Sequence, residues 1–446
     1  MPERFTVYLA EVGQAIRWRR ARSFALRELR THLIEQKECF QNEGMEEQAA
    51  EEAAIREMGE PEMVGKELDA VHRPREQWLW LGAAALLSCA AVFLRFYLTA
   101  GFAFESPQPG KVVTALLLGF TAMVGLYFLD YRILTRHTGK IYAAAVLLGL
   151  LTWEFGPHVN HAAWYTRQVV LLYPVVYAIW VNKFRGRGWQ GFFLAVLGGF
   201  PLALIACMAP YMMGLFLLLG TGFVLLLLAA GEDFFGIGRR QTALGTAGCT
   251  LAVAAPAWYF GSNGWMLRHV SMLLHPEKDP LGYGYQAISV RNMLSGAAWQ
   301  GAASVGPEYG EQTYEYIVPE WSGDFFLTTI ACKLGWVFFI LTALVLLLFF
   351  GWLLRRALGE RNSFGRILAV GAVLPLLVET VGGIIQNLGY FVVSFPIPFF
   401  SGNLNMILTM ALLGLLLSTM RQSDLPEEQE GAPRRRWRMV LTLVEE

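Results

Sequence analysis

The ionisable side chains between residues 263 and 325 include Arg268, Lys278, Asp279, Arg291, Glu315, Glu320 and Asp324, in a chain that is otherwise strongly apolar. Carboxylates take up protons and cations hold anionic groups. Beside long apolar segments, such a set suits a substrate with a charged head and a lipid tail. By residue type alone Asp324 also fits a helix N-cap, because an apolar run starts at Phe325, and the other charges fit a solvated cap. Glu154 and Glu379 fall in or near apolar segments, where an ionisable group is expensive and marks function. Glu379 sits mid-segment after Pro375, and Glu154 sits near an end. His158 and His161 form an H-x-x-H pair for which no third ligand is apparent. The five cysteines (Cys39, Cys89, Cys207, Cys249 and Cys332) are scattered, which fits neither a zinc finger nor a disulfide framework and reads as small apolar filler. Gly282 and Gly284 read as loop turns rather than a phosphate cradle.

The elements that must position these groups follow from composition. Of 446 residues, 55% are hydrophobic and only 16% charged, and the mean hydropathy is +0.40. Soluble proteins carry roughly 25% charged residues, so the class is a membrane protein, all-α. Lys+Arg and Asp+Glu both total 36, so no global basic field points to nucleic acid. Ten segments have the length and apolarity of a spanning helix: 78–99, 112–130, 140–156, 168–183, 191–208, 210–231, 243–262, 326–354, 366–391 and 403–420. The third and fourth are short.

The charge is uneven. Residues 1–77 hold 12 Lys+Arg and 16 Asp+Glu, 28 of the 72 charges. This stretch reads as a small helical domain, with Phe24, Leu26, Leu29 and Leu33 on one helix face and turns at Gly44 and at Gly59-Glu60-Pro61. No cleavable signal peptide is expected at its start. With that domain inside, the short inner loops hold 12 Lys/Arg and the outer side holds 5, namely Lys111, Arg167, Arg268, Lys278 and Arg291. The bias places both termini in the cytosol, with residues 422–446 a cytosolic tail that includes the basic run at 434–438. Residues 263–325 then form the one long extracellular loop, and long structured loops tend to be functional.

Three segments carry a family resemblance. "RHVSMLLHPEKDPLGYGYQ" (268–286), Ser295-Gly296 with Gly301, and "YEYIVPEWSGDFFLTTIACKLGW" (314–336) resemble the SEDS proteins of the RodA/FtsW/SpoVE type. That family shows an Arg before "DP..DPLG.GYQ", a Gly-rich segment, and "PE..TDFIF...EELG". "QNLGYFVVSFPIPFFSGNLN" (386–405) is similar to its "NIG......G.PLPF.SYGGS", through Asn387, Pro396, Pro398, Ser401 and Gly402. The likeness runs from about residue 75 to the C-terminus. Separately, "EGMEEQAAEEAAIREMGEPEMVGKEL" resembles the permease prefix or HAAS-type domain fused ahead of Gram-positive membrane proteins. There are departures. The family's "QPSE..K" is "YPVVYAI" at 173–179, "QPDLGT" is "APYMMG" at 209–214, and Gly323 stands for Thr.

The SEDS resemblance implies polymerisation of lipid II at the outer face of the cytoplasmic membrane, in cell shape, division or sporulation. Such a transfer needs a carboxylate to take a sugar proton. It also needs Arg, Lys or a divalent cation for the leaving pyrophosphate. The resemblance assigns the base to Asp324, the acceptor or a cation to Glu320 after Pro319, and the pyrophosphate to Arg268, Lys278 and Arg291. It further implies a class B penicillin-binding transpeptidase as partner; for the added N-terminal domain a cytosolic regulatory partner is expected. Two other readings are a non-catalytic scaffold, which the lost acids favour, and a lipid-linked-sugar flippase.

Overall fold

The computed structural model describes residues 3–71, 74–99, 108–159, 162–209, 212–262, 271, 275–282, 284–303, 323–390 and 394–423. The chain divides into two compact units. One holds residues 1–75 with 424–446, and the other residues 76–423.

The first unit is built from α1 (Glu3–Ala15), α2 (Arg19–Asn42), α3 (Glu47–Met58) and α4 (Pro61–Val71). Phe5, Tyr8, Val12 and Ile16 recur at helical spacing and meet Leu29, Leu33 and Ala54 in its core. Leu26 is partly buried against that core. The α2–α3 corner is fixed by Lys37, whose ammonium donates to Glu47 and Glu51 at 2.7 and 2.8 Å.

The second unit is a helical bundle: α5 (Trp78–Thr99), α6 (Pro109–Phe128), α7 (Ile133–Arg136), α8 (Thr138–Phe155), α9 (Trp164–Val170), α10 (Tyr173–Asn182), α11 (Gly188–Leu197), α12 (Gly199–Met208), α13 (Met212–Gly231), α14 (Arg239–Ser262), α15 (Tyr285–Ser295), α16 (Phe326–Leu334), α17 (Trp336–Leu358), α18 (Ser363–Asn387) and α19 (Asn403–Arg421). Among the described residues, seven helical stretches are long and apolar enough to cross a membrane. They are α5, α6, α11 with α12, α13, α17, α18 and α19. Exposed Leu86, Leu117, Phe193, Phe200 and Leu348 are what lipid-facing sides require. The other three expected spans coincide with α8, with α9 and α10, and with α14. α14 opens on Arg239-Arg240-Gln241 and carries Thr242, Thr246 and Thr250, so it is the more polar.

Three expected spans break, and the one read as 191–208 does so at Gly198, between α11 and α12. The segment read as 168–183 is two short helices parted at Leu171-Leu172, where Pro174 at the start of α10 has no N–H to continue the ladder. The segment read as 326–354 breaks at Gly335, which has φ +101°. A β-carbon there would lie 2.5 Å from the Trp299 carbonyl oxygen, so only glycine lets the 298–303 strip dock at the break. That strip is sewn on by Gly301 N–H to Leu334 O at 3.0 Å, Trp336 N–H to Ala298 O at 3.0 Å and Val337 N–H to Trp299 O at 3.2 Å. His158 lies in a two-residue antiparallel pairing, opposite Ala163, while His161 lies outside the described residues.

α18 is the central helix and packs against α10, α13, α16, α17 and α19. Its buried residues run almost its full length, from Phe364 to Asn387. α6 and α19 cross closely, and a β-carbon on Gly414 would lie 2.3 Å from the Met123 carbonyl oxygen.

Candidate functional site

Asp324 sits in the turn 323–325 that leads into α16. It does not cap that helix, whose N-cap residue is Phe325 and receives no side-chain cap. Its backbone and its carboxylate are held separately. The backbone carbonyl accepts from Asn387 Nδ2 at 2.9 Å. Asn387 is fully buried at the end of α18, also donates to Gly383 O at 2.7 Å, and accepts from Thr328 N–H at 2.8 Å. One asparagine therefore ties the start of α16 to the end of α18.

The carboxylate, only 4% exposed, accepts from Arg167 Nη2 at 2.6 Å and from the Ser394 hydroxyl. Ser401, on the same turn, also favours its ionised form. Arg167 also reaches Ser394 at 3.2 Å and lies 5.5 Å from the Trp164 ring centroid. The serines come from the 394–402 turn, which packs onto α18 at Gly382 and Gly383, where β-carbons would run into Phe395 and Ile397. Pro396 and Pro398 are buried in that turn, and Gly402 leads from it into α19. Ile397 N–H donates to Ser401 Oγ at 2.6 Å.

Burial alone would push the Asp324 carboxyl up. The Arg167 charge, the hydrogen bonds from Ser394 and Arg167, and Ser401 outweigh it and hold the carboxyl below the ordinary carboxylate range. The group is therefore an ionised carboxylate in a nearly dry setting, with its charge matched by one guanidinium.

The cation expected at Asp324 was Arg268, Lys278 or Arg291. Among the described residues, the cation paired with Asp324 is Arg167. Arg291, on α15, donates from Nε to Gly389 O at 3.0 Å and lies over the Tyr390 ring at 4.3 Å, so its guanidinium braces the α18 C-terminus. Lys278 is exposed and donates to Ser271 at 3.2 Å. Arg268, Pro319 and Glu320 lie outside the described residues. Arg167 was counted in the sequence only for topology. The available signal was the loss of the family's lysine from "YPVVYAI", with an arginine seven residues before Pro174. Among the described residues, no group of three or more His, Cys, Asp or Glu side chains could hold a metal.

The fold has relatives. Residues 78–425 match the cell cycle protein family of the FtsW/RodA/SpoVE type. The chain belongs to that family. It is 33% identical over 206 residues to peptidoglycan glycosyltransferase MrdB of Escherichia coli K12, covering 45% of this chain and 54% of the relative. The chain thus spans about half the length of the curated relatives it matches first, 54% in each. It is 24% identical over 326 residues to a probable peptidoglycan glycosyltransferase FtsW of Geobacter sp. M18, covering 68% of this chain and 83% of that one. It is 30% identical over 167 residues to stage V sporulation protein E of Bacillus subtilis, covering 36% and 44%. Among solved structures, a chain from a study of a peptidoglycan synthase complex that coordinates polymerization and crosslinking shares the fold, with a TM-score of 0.57 and 21% identity, over 76% of this chain and 97% of that one. The protein is therefore an integral membrane member of the FtsW/RodA/SpoVE family.

Proposed function

We propose that the chain is a peptidoglycan glycosyltransferase that polymerises lipid II at the outer face of the cytoplasmic membrane. The observation that carries the reading is the buried, ionised Asp324, held by Arg167 and two serines beside the central helix of a family fold. Asp324 takes the proton of the acceptor hydroxyl as its oxygen attacks the anomeric carbon of the donor. Pyrophosphate departs with the bonding pair, and its charge falls to the outer-loop cations Arg268, Lys278 and Arg291 or to a divalent cation. Glu320 positions the acceptor. The names of the relatives support the reaction class.

Both termini are cytosolic in this reading, supported by the 12-to-5 excess of inner Lys/Arg. The host is a Gram-positive bacterium, on the strength of the prefix-like N-terminal unit. A class B penicillin-binding transpeptidase is the partner in the membrane, in line with the shared fold of a synthase complex, and the N-terminal unit receives a cytosolic regulatory partner. The deciding experiment is polymerisation of lipid II by the purified full chain, with and without such a transpeptidase. Glycan product supports the reading. A wild type that stays inert where a related enzyme works would favour a scaffold, the reading to which the lost acids of "QPSE" and "QPDLGT" point.

A further inference from the structure

Segments 131–140 and 183–190 hold Arg132, Arg136, Lys140, Lys183, Arg185 and Arg187 and no acid, and between Glu154 and Glu232 the chain has no Asp or Glu at all. The acids nearest in sequence are engaged: Asp130 Oδ1 accepts from Arg132 N–H at 2.9 Å, Asp233 Oδ1 from Gly238 N–H at 2.7 Å, and Glu232 pairs with Arg366 at 2.6 Å. The two basic segments meet, because a β-carbon on Gly139 would lie 4.0 Å from Lys183 Nζ. Behind them Tyr142 of α8 packs on Trp180 of α10, ring centroids 4.3 Å apart. The cations rest on aromatic rings. Lys183 Nζ lies 5.1 Å from the Trp180 centroid and 5.9 Å from that of Phe184, and the Arg187 guanidinium lies 5.5 Å from the Phe184 centroid. Gly186 and Gly188, both at positive φ, pin the segment by N–H donation to Phe234 O at 2.9 Å and Phe235 O at 2.8 Å. Arg136, Lys140, Lys183 and Arg187 are exposed, and among the described residues none of the four has a carboxylate partner. Loop charge that only sets topology needs no such fixed frame. Beside the cations, Trp189 and Phe193 of α11 stack at 5.9 Å, both exposed, and Leu197, also exposed, continues the stripe one turn on.

We propose that this corner of α8, α10 and α11 is a binding site for an anionic phospholipid of the phosphatidylglycerol or cardiolipin class. The phosphate diester accepts from Lys140, Lys183 and Arg187. The glycerol lies against Trp189, an aromatic at the level where headgroup meets hydrocarbon. An acyl chain follows Phe193 and Leu197. A zwitterionic lipid would bring its own cation into a cluster that already lacks anions, and a soluble phosphate would leave the apolar stripe uncovered. The stripe beside the cations is what favours a lipid over an acidic protein segment. The bound lipid joins helices that are far apart in sequence. Which leaflet supplies it rests on the orientation proposed above; the recognition does not.

The test titrates the full chain in a neutral detergent with phosphatidylglycerol or phosphatidylcholine, read by native mass spectrometry and by thermal unfolding. Phosphatidylglycerol should bind about tenfold tighter or more, and should raise Tm where phosphatidylcholine does not. Joint replacement by Lys140→Gln, Lys183→Gln and Arg187→Gln should weaken phosphatidylglycerol by about a hundredfold, on the order of fivefold for each cation removed. Arg355→Gln, Arg356→Gln and Arg361→Gln together take the same charge from the α17–α18 side and should bind like the wild type. Equal loss in both triple variants would reduce the effect to net charge and overturn the proposal. If the first triple variant does not fold, the three single variants decide, and wild-type binding by all of them would overturn it. Glycerol 3-phosphate should not displace the lipid; displacement at matched concentration would make this a site for soluble phosphate and refute the lipid. Equal retention of the two phospholipids would also refute it and leave the cations to an acidic protein segment. The titration does not depend on sidedness, so a reversed orientation would move the lipid to the other leaflet without changing these outcomes.

Discussion

The proton affinity of Asp324 is set by what Arg167 and the two serines do to it, so residue-scale predictions start there. Asn at position 324 keeps the shape and still accepts hydrogen bonds but cannot take up a proton. Asp324→Asn should therefore cut polymerisation by about 10²–10⁴-fold, the usual loss when a general base is removed, with the protein still folded by circular dichroism. Equal rates for wild type and variant would transfer the role to Glu320. Removing the cation is a different event, because it strands a carboxylate whose side chain is only 6% exposed. Arg167→Ala should cost about 3–5 kcal/mol of stability, measurable as a lower unfolding midpoint. The pH dependence has a fixed sign. The folded Asp324 carboxyl lies below its ordinary value of about 3.9. The ion pair therefore contributes stability above that pH and loses it as the pH falls through the lower folded value. Acid titration of unfolding should show this loss in the wild type and not in Asp324→Asn. Asp324 itself was legible in the sequence, because its neighbours Pro319, Glu320 and Phe325 hold a family spacing. Arg167 was not, because it meets Asp324 across 157 residues and nothing local to "WYTRQ" announces a buried ion pair.

At the scale of elements, hydropathy located the helices and missed their interruptions. Hydropathy averages over a window, whereas a break depends on one residue's φ or one missing N–H. Gly335 is the clearest case: apolar residues flank it on both sides, yet the ladder stops there so that the 298–303 strip can bond to residues 332, 334, 336 and 337. Gly335→Val should place a branched side chain at φ +101° against the Trp299 backbone. A loss of at least 1–3 kcal/mol, roughly the cost of a strained backbone site, is expected, together with protease cleavage between Gln300 and Gly335. A variant that resists protease like the wild type would show that the strip is held by other contacts. The 394–402 turn was legible as a motif through Pro396, Pro398 and Ser401, but its partner surface was not. The surface is the bare Gly382-Gly383 step of α18, and the fold alone brings Phe395 and Ile397 onto it.

At the scale of the whole molecule, topology decides whether the Asp324 turn can meet an outer-leaflet substrate at all. Hydrophobicity fixes how many segments enter the membrane, and loop charge fixes which way they point. Reversing the orientation would put the inner set of 12 Lys/Arg outside, including Arg355, Arg356, Arg361 and Arg366 beside α17 and α18. Each Lys or Arg near an anionic inner surface is worth on the order of 1 kcal/mol, so the imbalance is large compared with thermal energy. The test uses single cysteines in a background where the five native ones, three of them exposed, are changed to serine. An impermeant maleimide applied to intact cells should label Gly310→Cys and spare Asn362→Cys until the membrane is opened. The reverse pattern would put Asp324 on the cytosolic side, where no outer-face polymerisation is possible. Labelling of both positions from outside would mean that α17 does not cross the membrane. Because Asn362 is buried, Arg361→Cys, at an exposed position, is labelled in parallel; Asn362 itself starts α18, its side chain accepting from Gly365 N–H at 2.9 Å. Its replacement costs a helix cap of about 1 kcal/mol. That is small enough to leave the span in place, so the label reports the sidedness of a folded protein.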